Sequence, residues 1–270
     1  MAKRTGFNLL FYSFNLMITL TILCFILFAV VLVLLNGFGH IWNVLQTAEI
    51  NFALGLSLKT SFISTFLCAL AALPMAYCLA GYRLPGRHIL NLIIKIPLAM
   101  PPIVSGVCLL LVFGTTSLGN ILSALGVKLI FTVTGIIVAQ FFVNLPYLVV
   151  VIKAAIEDVD PRLEFVARTL GCNQFQAFTR VTLPLIKNGL LAGLVITWAK
   201  SLGEFGAVLM LAGATRMRTE TLPISLYLNL TVGDMDAVMA VAAILIIISI
   251  ISLFVFELLG KREHSRLTGL

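Results

Sequence analysis

The chain has 270 residues, of which 60% are hydrophobic and only 11% are charged. A soluble domain carries about 25% charged residues, which keep its surface hydrated. The shortage of charge excludes a soluble globular enzyme, a disordered protein and a disulfide-rich secreted domain, and it leaves a polytopic membrane protein. The five cysteines show neither CxxC nor metal-type spacing, so we expect free, buried thiols.

Six stretches are apolar over about the 20 residues that a helix needs to cross a bilayer. We therefore predict an all-α membrane protein with about six transmembrane helices, in a single domain over residues 1–270. Basic residues before the first stretch are also typical of a signal peptide, but that stretch is longer than the usual apolar region of about 7–15 residues. An uncleaved first helix is the preferred interpretation. The stretches cover residues 11–35, 56–80, 89–113, 129–152, 190–211 and 237–258.

The lysines and arginines between these stretches predict the orientation. Cytoplasmic loops of membrane proteins carry an excess of these residues. With the N-terminus inside, only Lys128, Arg216 and Arg218 lie on the outer side, so both termini are predicted to be cytoplasmic. The net charge of +7 is then explained by topology and requires no nucleic-acid partner. The inner set comprises Lys3, Arg4, Arg83, Arg87, Lys153, Arg162, Arg168, Arg180, Lys187, Lys261, Arg262 and Arg266.

The longest cytoplasmic loop, residues 153–188, has the pattern of two short helices. Asp160 followed by Pro161 predicts an N-cap with proline at the first helical position. Gly171 is a C-terminal stop for this first helix. Its apolar face comprises Leu163, Val166, Ala167 and Leu170, which recur at helical spacing.

Asn173, with Gln176 three residues later, predicts a capping box for the second helix. That helix presents Phe175 and Phe178 on one side, and the Leu-Pro pair at 183–184 is expected to end it and to lead into the fifth span. Two capped amphipathic helices at a membrane surface fit either an anchor in the lipid headgroups or a docking element for a cytoplasmic partner. The pattern leaves both interpretations open.

The same loop resembles the cytoplasmic loop motif of ABC-importer permease subunits. That motif reads Glu-Ala-Ala, three residues, Gly, nine residues, Ile, one residue, Leu-Pro. The spacing of Gly171 and the Leu-Pro pair is kept, whereas Phe165-Val166-Ala167 stands in place of Glu-Ala-Ala. The resemblance implies that this loop forms coupling helices that dock on a separate ATPase. The coupling residues it implies are Glu164, Phe165, Val166, Ala167, Arg168, Leu170, Gly171, Phe175, Leu183 and Pro184.

Five further stretches resemble the permease subunits of molybdate, tungstate and sulfate importers. A Gly-Glu-Phe-Gly-Ala block and a Thr-Leu-Pro-Ile block favour molybdate or tungstate, with sulfate as the alternative. The resemblance implies the type I ABC-importer permease architecture with coupling helices. The five stretches are residues 57–60, 73–77, 97–106, 202–207 and 219–227.

The resemblance also implies the partners. Two permease copies would form a homodimer in the lipid of the plasma membrane, with two ATP-binding-cassette subunits that use ATP and Mg. This chain would bind no cofactor or metal itself. An extracytoplasmic oxyanion-binding protein would contact the outer loops at residues 36–49, 114–128 and 212–236.

Lys200 and Glu204 lie four residues apart in the fifth stretch and are therefore predicted to share one helix face. Charges in a span are costly, so the two either neutralise each other, or line the translocation path or tie the gate between two subunits. A compensated lysine is poorly suited to an anion, and we expect no high-affinity anion site there. Ala199, Gly203 and Ala207 form a small-residue stripe, so a Gly203→Leu change is expected to disrupt assembly or transport.

Pro97, Pro101 and Pro102 near the start of the third stretch each remove a backbone donor and bend or break a helix. Such a break survives in a membrane where protein or a water-filled cavity satisfies the backbone. The bend or break predicted at these prolines is either a kink near the pore or a distortion where the helix begins. With Lys200, Gly203 and Glu204, we place Pro101 and Pro102 in a tentative path or gate.

Two other classes of protein fit the chain less well. An ion-coupled secondary transporter often has inverted repeats and unpaired intramembrane acids, but only Glu204 lies deep in a span, and the two halves do not resemble each other. An intramembrane enzyme would need paired aspartates, clustered histidines or a Ser-His arrangement within the spans, and the predicted spans contain none of these. The chain also lacks the GxxxxGK[ST] motif, so we expect no enzyme activity of its own.

Overall fold

The computed structural model describes residues 2–81 and 85–267, and the side chains of residues 11–81 and 85–258. Throughout these residues the regular structure is helical. The helices are α1 (Ala2–Leu45), α2 (Ala48–Gly81), α3 (Arg87–Ala99), α4 (Pro102–Thr115), α5 (Ser117–Ala124), α6 (Val133–Glu157), α7 (Pro161–Thr169), α8 (Gln174–Ala177), α9 (Leu183–Leu202), α10 (Gly206–Ala212), α11 (Leu222–Val232) and α12 (Met235–Leu267). Arg83 and the side chains of Lys3, Arg4, Lys261, Arg262 and Arg266, all counted for the orientation, lie outside the described residues.

Five helical segments in the described part of the chain are long and apolar enough to cross a membrane. A sixth apolar unit consists of α3 and α4, which are bent by 109° at the break between them. The prediction of about six apolar segments is confirmed, and so is the break at Pro101 and Pro102. The five unbroken segments are Phe11–Leu45, Ala48–Gly81, Val133–Glu157, Gln174–Leu202 and Met235–Leu258.

The centre of the subunit is formed by α2, α6 and α9, while α1 packs mainly along α12. Helices in lipid associate through close packing, which small residues permit. A Cβ atom on Gly193 of α9 would lie 2.9 Å from Cγ1 of Val151 on α6. Around this contact, Leu148, Ile152 and Ile186 are buried together. The most apolar stretch of α1, in contrast, contains no buried residue. Cys24 on this helix is exposed, and among the described residues only Cys68 of the five cysteines is buried, so the expectation of buried thiols was wrong for the others.

The fifth span differs from the prediction at both ends. Residues 190–211 were expected to form one helix, but α9 ends at Leu202 and α10 begins at Gly206. Gly203 is the C-cap of α9, and the Glu204 carboxylate accepts from the Ala207 N–H and so caps α10. The helix is therefore interrupted where the sequence pattern predicted one continuous helical face.

At its inner end the fifth span is longer than predicted. The Leu-Pro pair does not end the second loop helix, because α8 continues through a π-helical turn, Phe178–Thr182, into α9. In this wider turn the Leu183 N–H donates to the carbonyl of Phe178, five residues back. Pro184 then lies in the first turn of α9, where a missing N–H is tolerated.

The cytoplasmic loop is correspondingly shorter than the predicted residues 153–188. Its first five residues belong to α6, which ends at Glu157, and its last fifteen to the helix that starts at Gln174. The connection between α6 and α8 therefore holds a single separate helix, α7.

Candidate functional site

The short helix α7 is defined at both ends by capping groups in its own sequence. The Asp160 carboxylate accepts from the Arg162 N–H at 2.9 Å, and Pro161 occupies the first turn. At the other end Gly171 has φ +93°. Its N–H donates to the Arg168 carbonyl, and the Cys172 N–H donates to the Ala167 carbonyl, which is the Schellman arrangement.

The next helix starts with the predicted capping box. Asn173 Oδ1 accepts from the Gln176 N–H at 2.8 Å, and Gln176 Oε1 accepts from the Asn173 N–H at 3.0 Å. The predicted caps of both short helices, at Asp160 and at Asn173, are therefore confirmed.

Phe175 and Phe178 line one groove, as predicted, but Phe178 also packs on the Tyr77 ring with centroids 4.6 Å apart.

A patch of large apolar side chains, here called the coupling surface, is exposed on α7 and α8. Leu170 is 80% exposed and Phe175 is 74% exposed. Ala167 is only half-buried, and Leu183 and Pro184 lie at the start of α9, away from these two short helices. A contiguous exposed apolar patch on a segment beyond the membrane helices marks an interaction site. The coupling surface comprises Leu163, Phe165, Val166, Leu170 and Phe175.

Glu164 joins α7 to the transmembrane helices. Its Oε2 atom accepts from the Tyr77 hydroxyl of α2 at 3.1 Å. Its Oε1 atom accepts from the hydroxyl of Thr182, in the π-helical turn below α9. One carboxylate thus joins α7 to α2 and to the turn that leads into α9.

Ionic contacts join the inner ends of α3 and α6. An Arg87 guanidinium nitrogen lies 2.7 Å from Glu157 Oε1, and Lys153 Nζ lies 3.1 Å from the same oxygen. These groups are partly exposed, so each pair contributes little to stability. They hold the start of α3 beside the end of α6.

The two helix breaks meet in the membrane domain. A Cβ atom on Gly206 would lie 2.9 Å from the backbone nitrogen of Ile103 and 3.0 Å from Cβ of Pro102. One turn further on, a Cβ on Gly106 would lie 2.8 Å from the Cα of Ala207. The break between α9 and α10 therefore packs directly against the start of α4.

The five residues of the tentative path or gate lie at these breaks. Pro101 is the N-cap of α4, and Gly203 is the C-cap of α9. Pro101, Pro102, Gly203 and Lys200 are exposed on the subunit, whereas Glu204 is only 9% exposed.

The small-residue stripe predicted from the sequence is interrupted at the second break. Ala207 belongs to α10, whereas Ala199 lies in α9 and Gly203 ends that helix. Among the described residues, the atom nearest to a Cβ on Gly203 would be the Ala199 carbonyl oxygen of its own helix, at 3.7 Å. Gly203 therefore makes no close helix–helix contact within the subunit.

Lys200 and Glu204 do not form the pair that a continuous helix would allow. Glu204 turns inward and caps α10 through a 3.1 Å bond from the Ala207 N–H. Lys200 Nζ instead lies 5.4 Å from the ring centroid of Tyr147 on α6. Among the described residues, no carboxylate lies within ion-pair distance of Lys200. The break between the two residues explains the difference.

A buried polar network at the same level was not predicted from the sequence. Gln140 Nε2 donates to the Ser201 carbonyl at 2.8 Å, and Asn144 Nδ2 donates to the Ser201 hydroxyl at 3.1 Å. The Ser201 carbonyl lies in the last turn of α9, where a helix end leaves carbonyls without helical partners. The signal in the sequence was the pair of amides four residues apart within an apolar span.

The loop between α10 and α11 is held by Arg216. The Arg216 guanidinium forms an ion pair with Glu49 at the start of α2 and donates to Asn229 Oδ1 at 3.1 Å. Glu220, which is fully buried, accepts from the Met217 N–H at 2.9 Å. Arg216 therefore has structural partners, whereas Arg218 is exposed.

Comparison with a protein-family model identifies the chain. Residues 69–265 match the family described as the binding-protein-dependent transport system inner membrane component. The chain belongs to this family of ABC-importer permease subunits. Together with the apolar helices, membership of this family identifies the permease as a multi-pass inner-membrane protein and as a transport component.

Two relatives refine the group. The molybdenum transport system permease protein ModB of Mycobacterium tuberculosis is 41% identical over 211 residues, which cover 77% of this chain and 79% of that protein. The sulfate transport system permease protein CysT of Escherichia coli is 31% identical over 234 residues, covering 86% and 84%. The permease thus belongs with the oxyanion permeases.

A solved structure agrees on the fold. A chain in the crystal structure of a bacterial alginate ABC transporter, in complex with an alginate pentasaccharide-bound periplasmic protein, superimposes with a TM-score of 0.72. The two are 19% identical, and the match covers 96% of this chain and 95% of the other. The permease therefore has the type I importer fold.

Proposed function

We propose that the permease is the membrane-spanning part of an ATP-driven importer for a tetrahedral oxyanion, molybdate or tungstate, with sulfate as the second candidate. The coupling surface is the observation that carries the ATP-driven part. It presents large apolar side chains on two capped helices and is joined to the spans through Glu164. The molybdenum and sulfate permeases among its relatives support the class of anion.

The coupling surface is a docking element for an ATP-binding-cassette subunit. Four of its five residues, all except Leu163, are among those that the family resemblance implies, and its helices begin at capping residues. ATP and Mg are used by that partner, and two such partners serve a homodimer of the permease. Movement of the ATPases is passed to α7 and α8 and then, through Glu164 and the π-helical turn, to the spans.

The translocation path runs beside the two helix breaks. Gly203, Pro101 and Pro102 are exposed on the subunit although they interrupt apolar helices. Exposed irregular backbone is tolerated at membrane depth only where it meets protein or a water-filled cavity. A second copy of the permease, related by a common axis, supplies both the protein contact and the water-filled cavity. The six apolar segments of one subunit then form half of the translocation path. Alternating access opens this path to one side of the membrane at a time.

An external binding protein delivers the anion to the outer loops. With both termini in the cytoplasm, the loop fixed by Arg216 lies on the outer side, and Arg218 is available there for contact. The anion crosses past the breaks and leaves on the side of the coupling surface.

Uptake into proteoliposomes tests this function. The permease is reconstituted with its cognate ATPase and binding protein, and labelled molybdate is added outside with ATP enclosed. We expect uptake that requires both ATP and binding protein and that unlabelled tungstate suppresses more strongly than sulfate. Stronger suppression by sulfate would favour the second candidate. Uptake driven by an ion gradient without ATP would contradict the proposal.

A further inference from the structure

We propose that Lys200 is an anion-contacting residue of the translocation path, which meets the oxyanion in transit with its ammonium group. The inference rests on the proposed function, and it concerns a passing contact on the path. Three observations carry it: the depth of the ammonium group, its exposure, and its separation from Glu204.

The depth follows from the contact with Tyr147. Tyr147 lies fourteen residues after the start of α6 and ten before its end. At the helical rise per residue, these separations are about 21 Å and about 15 Å. The Lys200 ammonium, 5.4 Å from the Tyr147 ring centroid, therefore lies near the middle of the span.

A lysine at that depth cannot reach the headgroups as one near a helix end does. Charged side chains deep in a membrane face a water-filled cavity or a partner group. Lys200 is exposed on the subunit, and among the described residues it has no carboxylate within ion-pair distance. Its charge is therefore directed to the space that the breaks border.

Glu204 does not cancel this charge by contact. Its carboxylate is buried and bound to the Ala207 N–H at the start of α10. The expectation of no high-affinity anion site rested on a direct Lys200–Glu204 pair, and the break between α9 and α10 leaves an electrostatic attraction between the two groups without direct contact. In a homodimer, two such ammonium groups would stand on the path of an anion with two negative charges and lower the cost of moving it through a medium of low dielectric constant.

The first test compares charge with shape. Lys200→Met keeps the length and apolar character of the side chain, and Lys200→Arg keeps the charge. We expect Lys200→Met to lower molybdate uptake in proteoliposomes by about tenfold or more, the effect of losing a charged contact. Lys200→Arg should retain most of the uptake. Lys59→Met, which removes another exposed lysine within a span, is the matched control and should transport like the unchanged permease.

Chemical rescue provides a second readout, which would not depend on the added charge if Lys200 had a purely structural role. Lys200→Cys is treated with an aminoethyl methanethiosulfonate, which restores an ammonium group, or with the sulfonatoethyl reagent, which adds a negative charge. The unchanged permease, with its native cysteines, is treated in parallel. We expect the first reagent to recover uptake and the second not to.

The outcomes separate the two proposals. If the unchanged complex takes up none of the three oxyanions, the proposed function fails. If it transports and Lys200→Met transports equally well, the function stands and the role of Lys200 is wrong. Equal recovery with both reagents would also overturn that role, because the charge would then be irrelevant. A loss of assembled complex with Lys200→Met, with no rescue of Lys200→Cys, would assign the lysine to folding and contradict the proposal.

Discussion

The carboxylate of Glu164 hydrogen-bonds α7 to two other parts of the membrane domain. It accepts from Tyr77 on α2 and from Thr182 in the turn that leads to α9. The family motif places its glutamate one position later, where this chain has Phe165. Phe165 is exposed on the coupling surface, so the chain has an apolar contact residue there while Glu164 makes the internal bonds.

Removal of this carboxylate should weaken transmission of movement more than it weakens ATP hydrolysis. Hydrogen bonds to a charged group contribute about 1.5–3 kcal/mol. We expect Glu164→Ala to lower the number of anions transported per ATP hydrolysed by about tenfold. Glu164→Gln keeps one acceptor oxygen and should be intermediate. The ratio of anions transported to ATP hydrolysed is measured in proteoliposomes. An unchanged ratio in the Glu164→Ala complex would show that movement is not transmitted through this carboxylate.

At the scale of elements, the contact between the two breaks depends on glycine. The backbone of α4 approaches Gly206 so closely that a methyl group would overlap Ile103 and Pro102. Gly203, only three residues earlier, is exposed and has room for a Cβ atom. Gly206 therefore makes a close contact within the subunit, whereas Gly203 does not.

Gly206→Ala should destabilise the subunit by about 1–3 kcal/mol, the usual cost of overpacking. Gly203→Ala, the matched control, should leave the thermal stability of the detergent-solubilised permease unchanged. Gly203→Leu should fold but assemble poorly or transport less, because its side chain would project into the dimer contact or the path. Normal stability of Gly206→Ala would mean that the breaks are less tightly packed, and normal transport by Gly203→Leu would contradict the position of the path.

Local chemistry made much of the architecture predictable. The N-caps of α7 and α8 and the break before Pro102 depend on neighbours within four residues, and all were predicted. The end of α9 was not, because it depends on the packing of Gly206 against α4, which lies about a hundred residues away in the chain. Separations of 61 and 57 residues likewise concealed the roles of Gln140 and Asn144, whose partner is Ser201 on α9.

At the scale of the whole molecule, one continuous helical segment connects the two functional regions. Gln174–Leu202 contains 29 residues, about 43 Å of helix. It begins at the coupling surface and ends at the break beside Lys200. The expected stop at the Leu-Pro pair would have separated these regions by a hinge, whereas the π-helical turn keeps them on one segment. A displacement of the coupling surface can therefore move the break directly.

The account depends most on the docking of an ATPase on the coupling surface, and cysteine crosslinking tests this directly. Leu170→Cys, at an 80% exposed position, is placed in a background lacking Cys172 and treated with a short bifunctional thiol reagent beside the co-expressed ATPase. Leu125→Cys, 74% exposed in the connection between α5 and α6 on the predicted outer side, is the control. We predict a crosslink to the ATPase from position 170 and none from position 125. A functional complex in which position 170 and the rest of the 165–176 region give no crosslink would contradict the account.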